Sequence, residues 1–171
     1  MRTISVLFAT AFLAATPPAS AFQFDALEGG SIDLDAFRGQ AILVVNTASL
    51  CGFTGQYADL QAVHETYGDR GLTVIGVPSD DFRQELGSEA EVAEFCEVNY
   101  GLTIPLTTIT SVKGADAHPF YRWLAEQGAT PRWNFNKALL SPDGELVAFE
   151  GANVRPTSPG FTKVIEDVLP E

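Results

Sequence analysis

The sequence is poor in three things, and each shortage removes a class of function. Cysteine comes first: 171 residues carry only Cys51 and Cys96, too few for a disulfide framework but enough for redox chemistry. Positive charge is second. Ten Lys and Arg stand against 22 Asp and Glu, for a net charge of −12, whereas binding to nucleic-acid phosphates needs a basic face. The same balance disfavours an anionic membrane surface. Long apolar runs are third: the stretch from Ile4 to Ala15 falls short of the roughly 20 residues that span a bilayer. No glycine-rich phosphate loop, internal repeat, low-complexity tract or linker interrupts the chain. The two histidines, His64 and His118, form no zinc-like spacing with the cysteines, so no metal or other cofactor is expected.

What is present starts with a targeting pattern. Met1-Arg2-Thr3, the apolar run and then Thr16-Pro17-Pro18-Ala19-Ser20-Ala21 give a basic start, a short apolar core and a small-residue ending, as in a secretory signal peptide. A membrane anchor is the alternative. Cleavage after Ala21 would leave residues 22–171 as one domain. Export would follow, across the inner membrane into the periplasm of a Gram-negative source, or otherwise to an extracellular or lumenal space. Thiols there meet an oxidising compartment. A content of 46% hydrophobic and 19% charged residues fits a folded globular domain rather than disorder.

Periodicity sketches an α/β fold. Phe22 to Leu34 forms short alternating pieces around Gly29-Gly30, the pattern of a hairpin. Ala41 to Val45 and Leu72 to Val77 are continuous aliphatic runs, the mark of strands buried on both faces. Between them, Tyr57, Leu60, Val63, His64 and Tyr67 recur at three and four and predict a helix over Gln56 to Tyr67. Ser88 to Glu91 predicts a helix start by a capping box, with the Ser88 hydroxyl and the Glu91 carboxylate both covering free amides. Short helices are expected over His118 to Gln127 and Ser158 to Leu169, and a hairpin around Ser141-Pro142-Asp143-Gly144. Phe120, Tyr121 and Trp123 read as core, and His64 and His118 as structural. The order implies a mixed sheet flanked by helices, its first two long strands parallel through a right-handed crossover. Cys51 then falls just past the carboxyl end of the first strand, where open α/β sheets build their sites.

On position alone Cys51 has two readings. Backbone amides and the positive end of a helix favour a reactive thiolate, and its neighbours Ser49, Gly52 and Thr54 leave the sulfur approachable. A buried, inert cysteine is equally common at such places.

Resemblance adds to this. Val45-Asn46-Thr47-Ala48-Ser49-Leu50-Cys51-Gly52-Phe53-Thr54 resembles the active-site segment of the glutathione peroxidase family in its cysteine form. Gly76 to Gly87, including Pro78-Ser79-Asp80-Asp81-Phe82-Arg83-Gln84, is similar to that family's loop after the next strand. Trp133-Asn134-Phe135-Asn136-Lys137 is similar to its Trp-Asn-Phe-x-Lys motif. The resemblance implies a thioredoxin-like fold and a thiol-dependent peroxidase that reduces hydrogen peroxide and organic hydroperoxides through a Cys51 sulfenic acid. Gln84, Trp133 and Asn134 would be the catalytic partners of Cys51, acting as neutral hydrogen-bond donors to a thiolate and to the peroxide. Cys96, on the predicted helix after the Gln loop, would be a resolving cysteine; a packed, inert helix cysteine is the other reading. The reductant would be a thioredoxin-like protein or glutathione. The short span from His118 to Trp133 resembles the family's members that lack an oligomerisation loop, which implies a monomer.

The chain departs from the family at one place. Asp80-Asp81-Phe82 is followed by Arg83 alone before Gln84, so this loop is one residue short. The two acids are expected to point outward or to pair with Arg83, and Lys137 to be solvated or the one cation near the site. The acidic balance favours small neutral peroxides over anionic ones and counts modestly against glutathione. A thiol–disulfide oxidoreductase is the runner-up, yet it needs Cys-x-x-Cys where this chain has Thr54. A peroxiredoxin would place Thr or Ser where Ala48 stands. An exported redox sensor that is oxidised at Cys51 is the non-enzymatic alternative.

Overall fold

A computed structural model of the chain describes residues 22–170; the expected signal peptide, residues 1–21, lies outside the described residues. The described chain opens with an antiparallel hairpin of β1 (Gln23–Asp25) and β2 (Ser31–Asp33). Gly29 and Gly30 turn it at φ of 93° and 79°, a region that a Cβ atom disfavours. β3 (Ala41–Thr47) follows, then α1 (Gln56–Tyr67), β4 (Leu72–Pro78) and α2 (Glu89–Tyr100). α3 (Pro119–Glu126), β5 (Lys137–Leu140), β6 (Leu146–Glu150) and α4 (Pro159–Val168) complete the order.

The two aliphatic runs become β3, an inner strand, and β4, an edge strand, of a mixed four-stranded sheet in the order β4-β3-β5-β6. β3 pairs in parallel with β4, Ala41 opposite Leu72, and antiparallel with β5, Val44 opposite Ala138. β3 and β4 are both buried at every residue. Because side chains alternate along a strand, Leu43 and Val45 enter one apolar layer and Ile42 and Val44 the other. The first layer holds Tyr57 and Leu60 of α1, Val92 of α2 and Ile165 of α4. The second holds Phe24 and Ile32 of the hairpin with Phe120, Tyr121 and Trp123 of α3.

Two local expectations change. β3 runs two residues further than its aliphatic stretch, because Asn46 and Thr47 stay in register with Val77 and Pro78. The α2 start is also not a reciprocal box. Ser88 Oγ accepts from the Glu91 amide (3.4 Å) and donates to Glu91 Oε2 (2.9 Å), so the carboxylate meets the hydroxyl rather than a free amide. His118 is structural: Nδ1 accepts from the Phe120 amide at 3.2 Å, which leaves Nε2 to donate to the Gln23 carbonyl at 2.9 Å. His64 faces a groove with Gln40 and Thr73, at the opposite end of the strands from Cys51.

Candidate active site

The turn between β3 and α1 carries Cys51. Its side chain is buried, and the Phe53 amide donates to Sγ at 3.5 Å. Among the described residues this is the one hydrogen bond to the sulfur. The turn is tied down on both sides of Cys51: the Thr54 amide donates to the Cys51 carbonyl (3.1 Å) and the Leu50 amide to the Gln84 carbonyl (2.8 Å).

Gln84 therefore reaches the site despite the shortened loop. Arg83 makes this possible by adopting φ 58°, a left-handed conformation costing a non-glycine residue roughly 1–2 kcal/mol, which reverses the chain within one residue. The two acids before it are occupied elsewhere. Asp81 accepts from the amides of Val112 (2.6 Å) and Lys113 (3.0 Å) and from the Ser111 hydroxyl. Asp80 Oδ1 accepts from the Glu85 amide at 3.2 Å. Among the described residues neither forms an ion pair with Arg83, which corrects that alternative.

The third segment is held by Asn46, buried at the end of β3. Its Nδ2 donates to the Trp133 carbonyl (3.0 Å), its Oδ1 accepts from the Asn136 amide (3.0 Å), and its carbonyl accepts from the Phe135 amide (2.6 Å). Phe135 sits at φ 60°, which turns the chain so that Asn134 projects into the site. Asn134 Nδ2 donates to Gln84 Oε1 at 3.0 Å, while its Oδ1 is buried without a partner. Trp133 is 41% exposed and its ring leans on Phe82 at 5.5 Å. Gln84, Trp133 and Asn134 thus lie together beside the Cys51 turn, but none of them hydrogen-bonds the sulfur. Gln84 Nε2 and the Trp133 indole N–H have no protein acceptor among the described residues, and so remain donors for an incoming molecule.

Lys137 is neither solvated nor a free cation. It is fully buried, with Nζ donating to the Phe135 carbonyl at 2.7 Å and to the Gly151 carbonyl at 3.3 Å. Burial pulls its amine down to about 8, against the charges of Asp59 and Glu150, which raise it. Cys96 lies in the last turn of α2, buried in the same apolar layer as Cys51, and both are free thiols. Burial pushes the Cys96 thiol up to about 11; the Tyr57 hydroxyl beside it works in the opposite direction, and the Glu85 charge adds to the rise. The helix end is closed by the Gly101 amide, which donates to the Glu97 carbonyl at 2.9 Å, and by the Leu102 amide, which donates to the Cys96 carbonyl at 3.4 Å.

A groove of about 470 Å³ beside Trp133 is lined by Phe53, Phe149, Ala152 and Arg132 and by no acidic side chain. Lys113 lies over the Phe82 ring at 4.1 Å, and Arg83 precedes Gln84 in the sequence.

Two residues here escaped the sequence reading, Asn46 and Glu85. Both stood inside the quoted motifs without a role. The signal for Asn46 was a polar side chain closing an otherwise aliphatic strand, since buried polar groups are retained where they are hydrogen-bonded.

Comparison with known proteins bears on most of the chain. Residues 20–125 match the family model described as glutathione peroxidase. The hydroperoxy fatty acid reductase gpx1 of Synechocystis sp. is 42% identical over 147 residues, covering 79% of this chain and 87% of that protein. The glutathione peroxidase-like peroxiredoxin HYR1 of Saccharomyces cerevisiae is 36% identical over 84% of this chain and 91% of its own. Among solved structures, the apo form of Trgpx superposes with a TM-score of 0.68 at 27% identity, covering 89% of this chain and 97% of that one. A thioredoxin-family thiol:disulfide interchange protein from Chlorobium tepidum gives a TM-score of 0.69 at 16% identity over 91% of this chain and 97% of its own, and so shares the thioredoxin-like fold alone.

The buried Lys137 gives a pH test. Below about pH 8 the lysine is charged in both folded and unfolded chains, and the full penalty of burying that charge applies. Between about 8 and 10.5 only the unfolded chain holds the proton, so the penalty lifts as pH rises. Urea unfolding of wild type and Lys137→Met should therefore show the difference shifting toward wild type across this window, by up to about 3 kcal/mol. A difference that stays flat with pH would contradict a charged buried lysine.

Proposed function

The chain belongs to the glutathione peroxidase family and is a thiol-dependent peroxidase; we propose that Cys51 is its peroxide-attacking thiolate and that Gln84, Trp133 and Asn134 are its catalytic partners. The observation that supports this most is convergence: three loops far apart in sequence meet at the Cys51 turn, through the Leu50–Gln84, Gln84–Asn134 and Asn46–Trp133 hydrogen bonds. The sulfur lone pair attacks one peroxide oxygen, the S–O bond forms as the O–O bond breaks, and the leaving oxygen departs as water or an alcohol after taking up a proton. Gln84 Nε2 and the Trp133 indole N–H stabilise the negative charge that grows on that oxygen, and being neutral they need transfer no proton. Asn134 holds Gln84 in place for this role. The product is a Cys51 sulfenic acid, which a second thiol converts to a disulfide with loss of water.

Hydrogen peroxide and organic hydroperoxides are the substrates in this reading. A relative's name, hydroperoxy fatty acid reductase, and the apolar walls of the groove beside Trp133 both support the organic class. A thioredoxin-like protein or glutathione returns the electrons, and no cofactor is needed besides that thiol. Cys96 serves as the resolving thiol once the last turn of α2 unwinds, because a disulfide requires Cα atoms within about 7 Å and the folded helix keeps this thiol buried and protonated.

A peroxidase assay with hydrogen peroxide or a lipid hydroperoxide should show many turnovers when thioredoxin or glutathione is supplied, and none for Cys51→Ser. A folded protein that shows no turnover with any donor would leave only the sensor reading. Intact mass after one equivalent of peroxide should show a Cys51–Cys96 disulfide. A lasting sulfenic or glutathionylated Cys51 beside a free Cys96 would establish a one-cysteine cycle instead. Residues 1–21 support export, and the short His118–Trp133 span a monomer. The secreted form should begin at Phe22 and sediment as one chain; a start at Met1 or a sedimenting tetramer would contradict these two assignments.

A further inference from the structure

Beneath the Cys51 turn lies a buried carboxyl that the mechanism above does not use. Glu85 follows Gln84 and is 8% exposed. Its Oε1 accepts from the Ser49 amide at 2.9 Å and from the Leu86 amide at 2.9 Å. Ser49 stands two residues before Cys51, and the next amide, Leu50, donates to the Gln84 carbonyl. Two successive amides of the sulfur-bearing turn are thus bound by two successive residues of the Gln84 loop, one through backbone and one through the Glu85 side chain. Asp80 fixes the Glu85 amide in turn.

The second oxygen has a distinct setting. Glu85 Oε2 is buried without a hydrogen-bond partner, as are the hydroxyls of Thr47, Ser49 and Tyr57. The Ser49 hydroxyl and the Asp80 carboxylate face the carboxyl from its own side of the site, and Tyr57 of α1 and Cys96 of α2 lie across from it. Burial raises the Glu85 carboxyl above its ordinary range, although the Ser49 and Leu86 bonds oppose the rise. A buried carboxyl is costly to keep, and here it spends its one engaged oxygen on the catalytic turn.

We propose that Glu85 is a positioning residue for peroxide reduction: by holding the Ser49 amide it sets where the Cys51 sulfur stands relative to Gln84. This rests on Cys51 as the attacking thiolate. A displacement of about 1 Å at a reacting atom costs on the order of a hundredfold in rate, so the loss of one such bond is readily measured.

The test uses the full-length domain in a Cys96→Ser background and follows the second-order rate of Cys51 oxidation by hydrogen peroxide. Glu85→Leu keeps the bulk and removes the acceptor; its rate should fall by about 10- to 100-fold. Glu85→Gln keeps an acceptor oxygen of the same reach, and its new amide donor meets the unpartnered hydroxyls, so it should recover the rate to within about 3-fold of the parent. Because Glu85 acts by setting the sulfur against Gln84, Glu85→Leu should add little to the loss already caused by Gln84→Ala. A purely structural role would give additive losses. Should Glu85→Leu fail to fold, Glu85→Asp, which withdraws the oxygen by one methylene, carries the same expectation. A Glu85→Leu rate equal to the parent, a Glu85→Gln rate as low as Glu85→Leu, or additive losses with Gln84→Ala would each overturn the proposal. An unreactive parent Cys51 would overturn the peroxidase reading itself, and is told apart by that.

Discussion

The site depends on one asparagine. Asn46 ends the central strand, and through its amide side chain and its own carbonyl it binds the backbone of Trp133, Phe135 and Asn136. Those residues lie nearly ninety positions further along the chain, so no local preference could bring them here. Every polar group that Asn46 takes out of water finds a partner, which is the condition under which a buried amide stabilises rather than costs. Once this clamp is closed, the left-handed turn at Phe135 aims Asn134 at Gln84, and the Lys137 amine secures the Phe135 carbonyl from behind. The proposed catalytic partners are thus set by backbone geometry, and the backbone geometry by buried polar contacts at the end of a hydrophobic sheet.

The same fold gives two cysteines opposite characters. Both are buried in one apolar layer and both are reduced. Cys51 stands in a turn with an amide aimed at its sulfur and with free neutral donors close by. Cys96 stands in a helix, where burial and a nearby carboxylate hold its proton tightly. The thiolate is the nucleophile, so under the proposed mechanism the proton held on Cys96 leaves the attack to Cys51. In the proposed cycle the Cys96 position makes the resolving step conditional on opening the end of α2, which the Gly101–Glu97 and Leu102–Cys96 hydrogen bonds close.

Most of the architecture was legible in the sequence, for physical reasons that name particular residues. Ala41 to Val45 and Leu72 to Val77 could only be strands buried on both faces, and the three-and-four spacing from Tyr57 to Tyr67 gave α1 its bounds. Polar residues were harder. Asn46 and Thr47 looked like a strand end, because pattern reading treats polarity as exposure and cannot see partners distant in sequence. Lys137 misled for the same reason: lysine is solvated by default, and only the fold shows two carbonyls waiting for its amine. Glu85 went unnoticed beside Gln84, since its role exists only when the loop folds back on Ser49.

The central claim is that this framework makes Cys51, and not merely any thiol of the chain, the group that attacks peroxide. Stopped-flow oxidation by hydrogen peroxide near neutral pH, run separately on Cys96→Ser and Cys51→Ser, compares the two sulfurs in the same fold. Cys51 should react at least about a hundredfold faster than Cys96, the scale on which preoriented hydrogen-bond donors act. Equal rate constants, or a faster Cys96, would contradict the account.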